Sequence, residues 1–154
     1  QLYQRGPFSA RASHVARGPP ARADMAWFNE EGFSKCDVRS MQRLLDEGAA
    51  VDAKDSSYQT ALHVAARQGR TDLAEALLGY GAVVDAKDKS DQTALLVAAS
   101  RGDMATAKML LDWHAGVNVQ DQGAQTALHK AAGRGDLAMA KMLLDEYAGV
   151  NVQD

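Results

Sequence analysis

Three arginines recur at almost the same interval along the chain and could recognise anions. Arg67, Arg101 and Arg134 are 34 and 33 positions apart. A guanidinium group presents several N–H donors in a fixed fork and can bind a carboxylate through two parallel hydrogen bonds. Arginine is also enriched among the residues that contribute most to protein–protein binding. The spacing therefore predicts a row of cations along one side of a repeated structure, placed to bind acidic side chains.

The other reactive side chains do not form a catalytic set. Cys36 is the single cysteine, so no intrachain disulfide can form, and we interpret it as a small core residue. The sequence contains no serine–histidine–aspartate pattern, no glycine-rich phosphate loop and no closely spaced cysteine pair. It predicts no catalytic residue, no metal ligand and no cofactor.

The candidate residues are carried by a repeat of 33 positions. Residues 88–120 and 121–153 are identical at 23 of 33 positions, and residues 55–87 share their skeleton. We name these ranges repeat 1 (55–87), repeat 2 (88–120) and repeat 3 (121–153). Self-similarity at a fixed interval is typical of a solenoid, whose units pack only on their neighbours. Asp154 stands where a further repeat would begin, so we expect a truncated array with an exposed apolar end that frays or self-associates.

Each repeat carries the signals of two helices. Thr60, Thr93 and Thr126 precede an Ala-Leu pair and are predicted to cap a first helix, which Gly69, Gly102 and Gly135 would end. A second helix is predicted from an apolar stripe. Its members are Thr71, Ala74, Leu77 and Leu78 in repeat 1, Met104, Ala107, Leu110 and Leu111 in repeat 2, and Leu137, Ala140, Leu143 and Leu144 in repeat 3.

The N-terminal part divides into two segments. Residues 25–54 repeat the second-helix stripe but depart from the pattern upstream, which is typical of a degenerate capping repeat. Residues 1–24 hold four arginines against one aspartate, a net charge of +3, and show no apolar periodicity. We interpret them as a disordered basic leader before a start at Met25. A mitochondrial transit peptide is the alternative, which Pro19 and Pro20 disfavour because they interrupt a helix.

The motif Thr-Ala-Leu-His, followed by Ala-Ala, Gly, Leu-Leu and Val-Asn or Val-Asp, closely resembles the ankyrin repeat family over about residues 37–154. The resemblance implies an all-α solenoid of stacked antiparallel helix pairs, joined by β-hairpin-like loops and presenting a concave face. In place of the family's proline, alanine stands at 61, 94 and 127. Leu96 replaces the family's histidine in repeat 2.

The glycine that reverses the chain after the second helix is another point of departure. Gly48 and Gly81 match the family, whereas His114 and Tyr147 replace it later. Bulky residues adopt φ > 0 reluctantly, so we expect at least one of these two turns to differ. The reversal could move to Gly116 or Gly149.

Two further features of the repeat are interpreted as structural. His63 and His129 lie two repeats apart, and helices pack about 8–10 Å apart, which excludes a shared metal ion with ligand bonds of about 2 Å. Each histidine is predicted to bond within its own turn. The aspartates at 55, 88 and 121 are predicted to serve in turns and caps.

The function implied by the resemblance is that of a non-catalytic scaffold, binding another protein on its concave face and hairpin tips. The predicted partner-binding residues are Tyr58, Gln59, Arg67, Gln68, Asp91, Gln92, Ser100, Arg101, Gln125 and Arg134. Alternatively, the chain is a fragment of a larger enzyme, channel or signalling protein whose activity lies outside it. A nucleic-acid binder is the weaker third interpretation, because residues 25–154 carry a net charge of −6. No apolar run reaches a membrane span, and a cytoplasmic or nuclear location is expected.

Overall fold

The chain folds as a stack of helix pairs. The computed structural model describes Phe28 and residues 35–151, and this described part contains seven helices and no strand. They are α1 (Val38–Asp46), α2 (Ala61–Gln68), α3 (Thr71–Gly79), α4 (Ala94–Arg101), α5 (Met104–Asp112), α6 (Ala127–Arg134) and α7 (Leu137–Asn151). The predicted all-α repeat architecture is confirmed. The predicted leader, residues 1–24, lies outside the described residues.

The first helix of each repeat begins and ends at the predicted residues. The Thr93 hydroxyl accepts from the Leu96 N–H at 3.4 Å, and the Thr126 hydroxyl lies 3.5 Å from the His129 N–H. The helices end where glycine adopts the left-handed conformation, with φ values of 69°, 76° and 73° at positions 69, 102 and 135. These capping interactions satisfy backbone groups that a short helix cannot pair internally.

Short connections decide how the helices stack. Only two residues join α2 to α3, α4 to α5 and α6 to α7, which makes each pair antiparallel. The first helices α2, α4 and α6 pack on one another, and the second helices α1, α3, α5 and α7 form a parallel row. Contact is more extensive along the first row, where Ala65, Ala66, Ala98 and Ala99 are fully buried and let the backbones approach. The first helices therefore form the more closely packed row of the stack.

The core of the second helices differs from the predicted stripe at its first position. Leu77, Leu110 and Leu143 are buried as predicted, whereas Leu137 is 82% exposed and Met104 is also exposed. The buried positions are instead Leu73, Thr106 and Met139, two residues further on. At about 100° per residue, the first position lies roughly a quarter turn from the centre of the buried face, so it reaches the solvent side.

The loops before the first helices are tight and hairpin-like. In repeat 1, the Tyr58 N–H donates to the Asp55 carbonyl at 2.9 Å and the Asp55 N–H donates to the Gln59 carbonyl at 3.0 Å. The Asp55 carboxylate also accepts from the N–H groups of Ser57 and Gln59. The same bonds recur at 88–92 and 121–125, which confirms the turn role of the three aspartates.

Consecutive tips are joined to each other. The Lys89 N–H donates to the Ser57 carbonyl and the Gln122 N–H donates to the Ser90 carbonyl, both at 3.0 Å. Backbone hydrogen bonds therefore hold the three tips in a continuous row.

The turns after the second helices differ between the positions that keep glycine and one of the positions that replace it. Gly48 and Gly81 have φ values of 105° and 91°, and His114 adopts the same left-handed region at 64°. Because His114 takes the reversal itself, the suggested shift to Gly116 is wrong. At the equivalent Tyr147 there is no reversal, and α7 continues to Asn151. The prediction that one of the two turns would depart from the geometry at Gly48 and Gly81 is confirmed, and the turn that departs is the one at Tyr147.

Candidate functional site

The three predicted arginines lie at the ends of the first helices. Arg67 and Arg134 occupy the last turn of α2 and α6, and Arg101 is the last residue of α4. Cations are favourable there because the carbonyl end of a helix carries a partial negative charge. The helix ends therefore explain why arginine is favourable at these positions. The contacts of each arginine side chain decide whether its guanidinium group remains open to a partner.

Arg67 is engaged inside repeat 1. Its side chain is half-buried, runs back along α2 and donates a hydrogen bond to the amide oxygen of Gln59. The bond links the helix to the tip, so two of the predicted binding residues contact each other. Gln68, next to them, is also half-buried. A partner would have to replace existing contacts to bind here.

Arg134 joins repeat 3 to repeat 2. One of its N–H groups donates to the Ser100 carbonyl at 3.2 Å. Its guanidinium also lies so close to Gly102 that a Cβ added to that glycine would be 2.9 Å from it. The charge therefore sits over the end of α4, beside Arg101.

Arg101 is the open member of the set. Its side chain is exposed and forms no hydrogen bond or ion pair within the described part of the chain. Ser100, at the repeat position of Arg67, is exposed and too short to reach its tip. The structure thus brings Arg101, Ser100 and Arg134 together at the step between repeats 2 and 3.

The tips present a mixture of engaged and open residues. Tyr58 is exposed at the first tip, where it adopts a φ of 59° and lies 5.7 Å from the Lys54 ammonium in a cation–π contact. The equivalent Asp91 and Ala124 have φ values of 60° and 59°. Left-handed φ at three non-glycine residues carries strain that the tip hydrogen bonds hold in place.

Lys130, which is not among the predicted binding residues, closes the tip of repeat 3. Its ammonium donates to the Gln125 amide oxygen at 2.8 Å and pairs with the Asp121 carboxylate at 2.7 Å. This ammonium lowers the pKa of Asp121. The equivalent position in repeat 2 is the buried Val97. Repeat 2 therefore lacks the link between tip and helix that Arg67 and Lys130 provide in its neighbours.

The backbone carbonyl of Gln92, one of the predicted binding residues, joins repeat 2 to His63 of repeat 1. It receives a hydrogen bond of 2.8 Å from Nε2 of His63 in the preceding repeat. Nδ1 of the same ring accepts from the Thr60 N–H at 3.1 Å, as predicted for a histidine that bonds within its turn. Burial lowers the pKa of His63, because the buried cation would lose its hydration. His63 is therefore a neutral bridge between repeats.

The surroundings of Cys36 disfavour a reactive thiol. Burial, followed by the nearby Asp37 charge, raises the pKa of the Cys36 thiol, which opposes formation of the nucleophilic thiolate. Among residues 35–151 and Phe28, no group of three histidine, cysteine or acidic side chains is arranged to hold a metal ion. No helix in the described part is long and apolar enough to cross a membrane.

Comparison with known families agrees with this geometry. A family model described as ankyrin repeats, in three copies, matches residues 72–154, which is more than half of the chain. A second, described as ankyrin repeats in many copies, matches residues 44–98. A search of the curated proteins found no match.

Proposed function

Because the chain belongs to the ankyrin repeat family, whose repeats generally mediate protein–protein interaction, we propose that it is a non-catalytic scaffold for another protein. The proposed ligand is an acidic or mixed-charge, peptide-like segment that lies across repeat 2 and the adjoining tips. The predicted partner-binding residues from Tyr58 to Arg134 form this surface, with its centre at Arg101.

The observation that carries the proposal is the open guanidinium of Arg101. Arg67 and Lys130 already bind the tips of their own repeats, whereas Arg101 has no hydrogen-bonding partner in the described residues. Arg134 lies beside it over the end of α4. Two adjacent guanidinium groups favour a carboxylate, which can accept hydrogen bonds from both.

Aromatic and amide groups on the tips supply the rest of the proposed surface. Tyr58 is exposed at one end of the tip row, and tyrosine contributes a large contact area at low entropic cost. Asp91 and Gln92 lie on the tip of repeat 2, which lacks the link to its helix that Arg67 and Lys130 provide in the neighbouring repeats. A segment bound along this row would contact the tips on one side and Arg101 on the other.

The proposal is tested by charge reversal at Arg101 with a matched control. A labelled peptide of alternating glutamate and leucine is titrated into wild type, Arg101→Glu and Lys141→Glu, and fluorescence anisotropy gives the affinity. Lys141 is exposed on α7 and undergoes the same change of charge. Losing a charge-assisted hydrogen bond should weaken binding by about tenfold or more in Arg101→Glu, with little change in the control.

The same variants then serve as baits in an affinity pulldown from the source cell. A natural partner should be retained by wild type and Lys141→Glu and lost by Arg101→Glu. Equal losses in both variants would mean that only the total charge matters and would contradict the proposed site.

A further inference from the structure

The C-terminal ends of the second helices form a second surface on this protein. We call it the outer edge and define it as residues 46–51, 79–84, 112–117 and 145–147. Because the helices of each pair are antiparallel, this edge lies at the opposite end of the pair from Arg67, Arg101 and Arg134. Side-chain hydrogen bonds connect its loops: Val83 N–H donates to Asp52 at 3.0 Å, and Gly116 N–H donates to Asp85 at 2.9 Å. The outer edge is therefore one continuous surface.

Exposed apolar side chains are concentrated on this edge. Of the eight large apolar residues that are exposed in the described part of the chain, four lie here: Tyr80, Val83, Trp113 and Tyr147, each 39–54% exposed. Tyr80 and Trp113 occupy the same position of consecutive repeats and end α3 and α5. Aromatic residues combine a large apolar surface with a polar tip, which makes them frequent in binding interfaces.

The Tyr80 contact shows how side chains at this position are directed. Its hydroxyl donates to the Asp46 carboxylate of the preceding repeat at 2.9 Å. The residue equivalent to Asp46 before Trp113 is Gly79, and a Cβ built on Gly79 would meet nothing within 4 Å. The space in front of Gly79 is therefore open, whereas the carboxylate at the equivalent position, Asp46, binds Tyr80.

The charge of the outer edge has a single sign. It contains five acidic residues, Asp46, Glu47, Asp112, Asp145 and Glu146, and no lysine or arginine. Apart from Asp46, these carboxylates are exposed and form no hydrogen bond or ion pair within the described residues. Acidic groups at the carbonyl end of a helix oppose its dipole and cost stability. A cationic ligand would relieve that repulsion.

A groove adjoins the aromatic residues. It has a volume of about 520 Å³ and is formed by residues 114–119 together with Leu111 and Glu146. Leu111, Ala115, Val117 and Val119 supply apolar walls, and Glu146 stands at the side. The groove offers space for an apolar side chain next to a carboxylate.

We propose that the outer edge binds a segment of a second protein in which lysine or arginine alternates with apolar residues. Its cations would stack on Trp113 and Tyr80 and pair with Asp112 and Glu146, because cations bind both aromatic faces and carboxylates. Its apolar side chains would enter the groove. The surface differs from the Arg101 site in position and in charge, so the scaffold would hold two chemically opposite partners.

The experiment uses the full chain and a short probe peptide of alternating arginine and leucine. Amide chemical shifts are followed by NMR during titration, and fluorescence anisotropy gives the affinity. The shifts should cluster at residues 46–47, 80–83, 112–117 and 145–147. Trp113→Ala should weaken binding about fivefold. Asp112→Asn and Glu146→Gln, which leave the packing in place, should each weaken it about two- to fivefold.

Met104→Ala is the matched control, because Met104 is an apolar residue of similar exposure at the opposite end of α5. It should leave the affinity for the basic peptide unchanged. Shifts scattered over all acidic residues, or equal losses in the Trp113 and Met104 variants, would overturn the proposal. A chain that self-associates until the peptide dissociates it would also overturn it, since the occupant would then be a second copy. The Arg101 site is tested with the acidic peptide, so either proposal can fail alone.

Discussion

Repeats 2 and 3 are identical at 23 of 33 positions, yet they end differently. In repeat 2 the chain reverses at His114 and leaves α5 after Asp112, whereas in repeat 3 α7 passes Tyr147 and continues to Asn151. Residues 115–118 and 148–151 both read Ala-Gly-Val-Asn, and only the second set is helical. Identical residues thus adopt two conformations, and among the described residues only the first set follows a left-handed turn, at His114.

Burial shows the same difference. Leu111 is 7% exposed, whereas its counterpart Leu144 is 49% exposed. Exposure of the repeat 3 stripe, as predicted, is found at Leu144 and Leu137 but not at Leu143, and the expected fraying or self-association stays a prediction. Leu111 is buried and its counterpart Leu144 is not, so the same side chain should contribute different amounts to stability in the two repeats.

The largest effect is expected from truncating these two leucines. Leu111→Ala should lower the free energy of unfolding by about 2–5 kcal/mol, because it leaves a cavity between packed helices. Leu144→Ala should cost only about 1 kcal/mol, since much of its surface already faces water. Urea denaturation followed by circular dichroism measures both. Equal losses would show that the C-terminal face is covered in solution.

An intermediate loss of unfolding free energy is expected from replacing the two histidines, His63 and His129. His63→Leu should cost about 1–3 kcal/mol, because the buried Thr60 N–H and Gln92 carbonyl lose their partner. His129 is exposed, so His129→Leu should cost less, with water replacing its contacts. Chemical denaturation at pH 7.5 checks the difference. A His129 variant as damaged as the His63 variant would contradict the dependence on a following repeat.

His63 also gives a pH dependence with a definite sign. Burial holds the folded-state pKa of His63 below the reference value of 6.5, so the unfolded chain takes up the proton first. Stability should therefore decrease as the pH falls from about 6.5 towards the folded-state pKa. Denaturation series across this range should show a weaker decrease in His63→Leu than in wild type or His129→Leu.

A smaller difference is expected at the glycines that end α4 and α6. Gly102→Ala and Gly135→Ala should each cost about 1–2 kcal/mol, because both positions have left-handed φ. Gly102→Ala should cost a few tenths more, since its methyl group must displace Arg134 from the Ser100 carbonyl. Combining each change with Arg134→Ala isolates that excess. An excess that survives in the Arg134→Ala background would have another cause.

The smallest effects, of opposite sign, are expected at the divergent turns. His114→Gly should stabilise the chain by about 0.5–1 kcal/mol, because glycine adopts φ > 0 without strain. Tyr147→Gly should destabilise by a similar amount, because it places glycine within a helix. Thermal denaturation gives the stabilities, and NMR secondary shifts report the helicity of residues 148–151. The same sign for both substitutions would refute the structural difference between the two repeats.

The fold was largely predictable because its signals are local. Threonine before Ala-Leu, glycine after the first helix and aspartate at the tip act within a few residues, and each was found in its expected role. The stripe of the second helix was predicted less well, as Leu137 and Met139 show. Periodicity gives the angular spacing of apolar residues, but neighbouring helices decide which part of the surface they cover.

The candidate site was predictable only as a set of positions. The equal spacing predicted that the three arginines lie on equivalent helix ends. It did not predict that their side chains make different contacts. Their contacts depend on residues elsewhere, namely Gln59 for Arg67 and Ser100 and Gly102 for Arg134. Lys130 was missed because its counterparts are valines, so no repeated pattern marks it.

The sequence by itself determined the helix pairs, their caps and the 33-residue period, because these depend on residues close to one another in the chain. It also determined the left-handed turn positions that glycine supplies. The tertiary structure alone decided which arginine stays open, where aromatic and acidic residues of separate repeats meet, and whether Ala-Gly-Val-Asn becomes loop or helix. Those outcomes depend on what the adjacent repeat presents, and a local pattern carries no information about that contact.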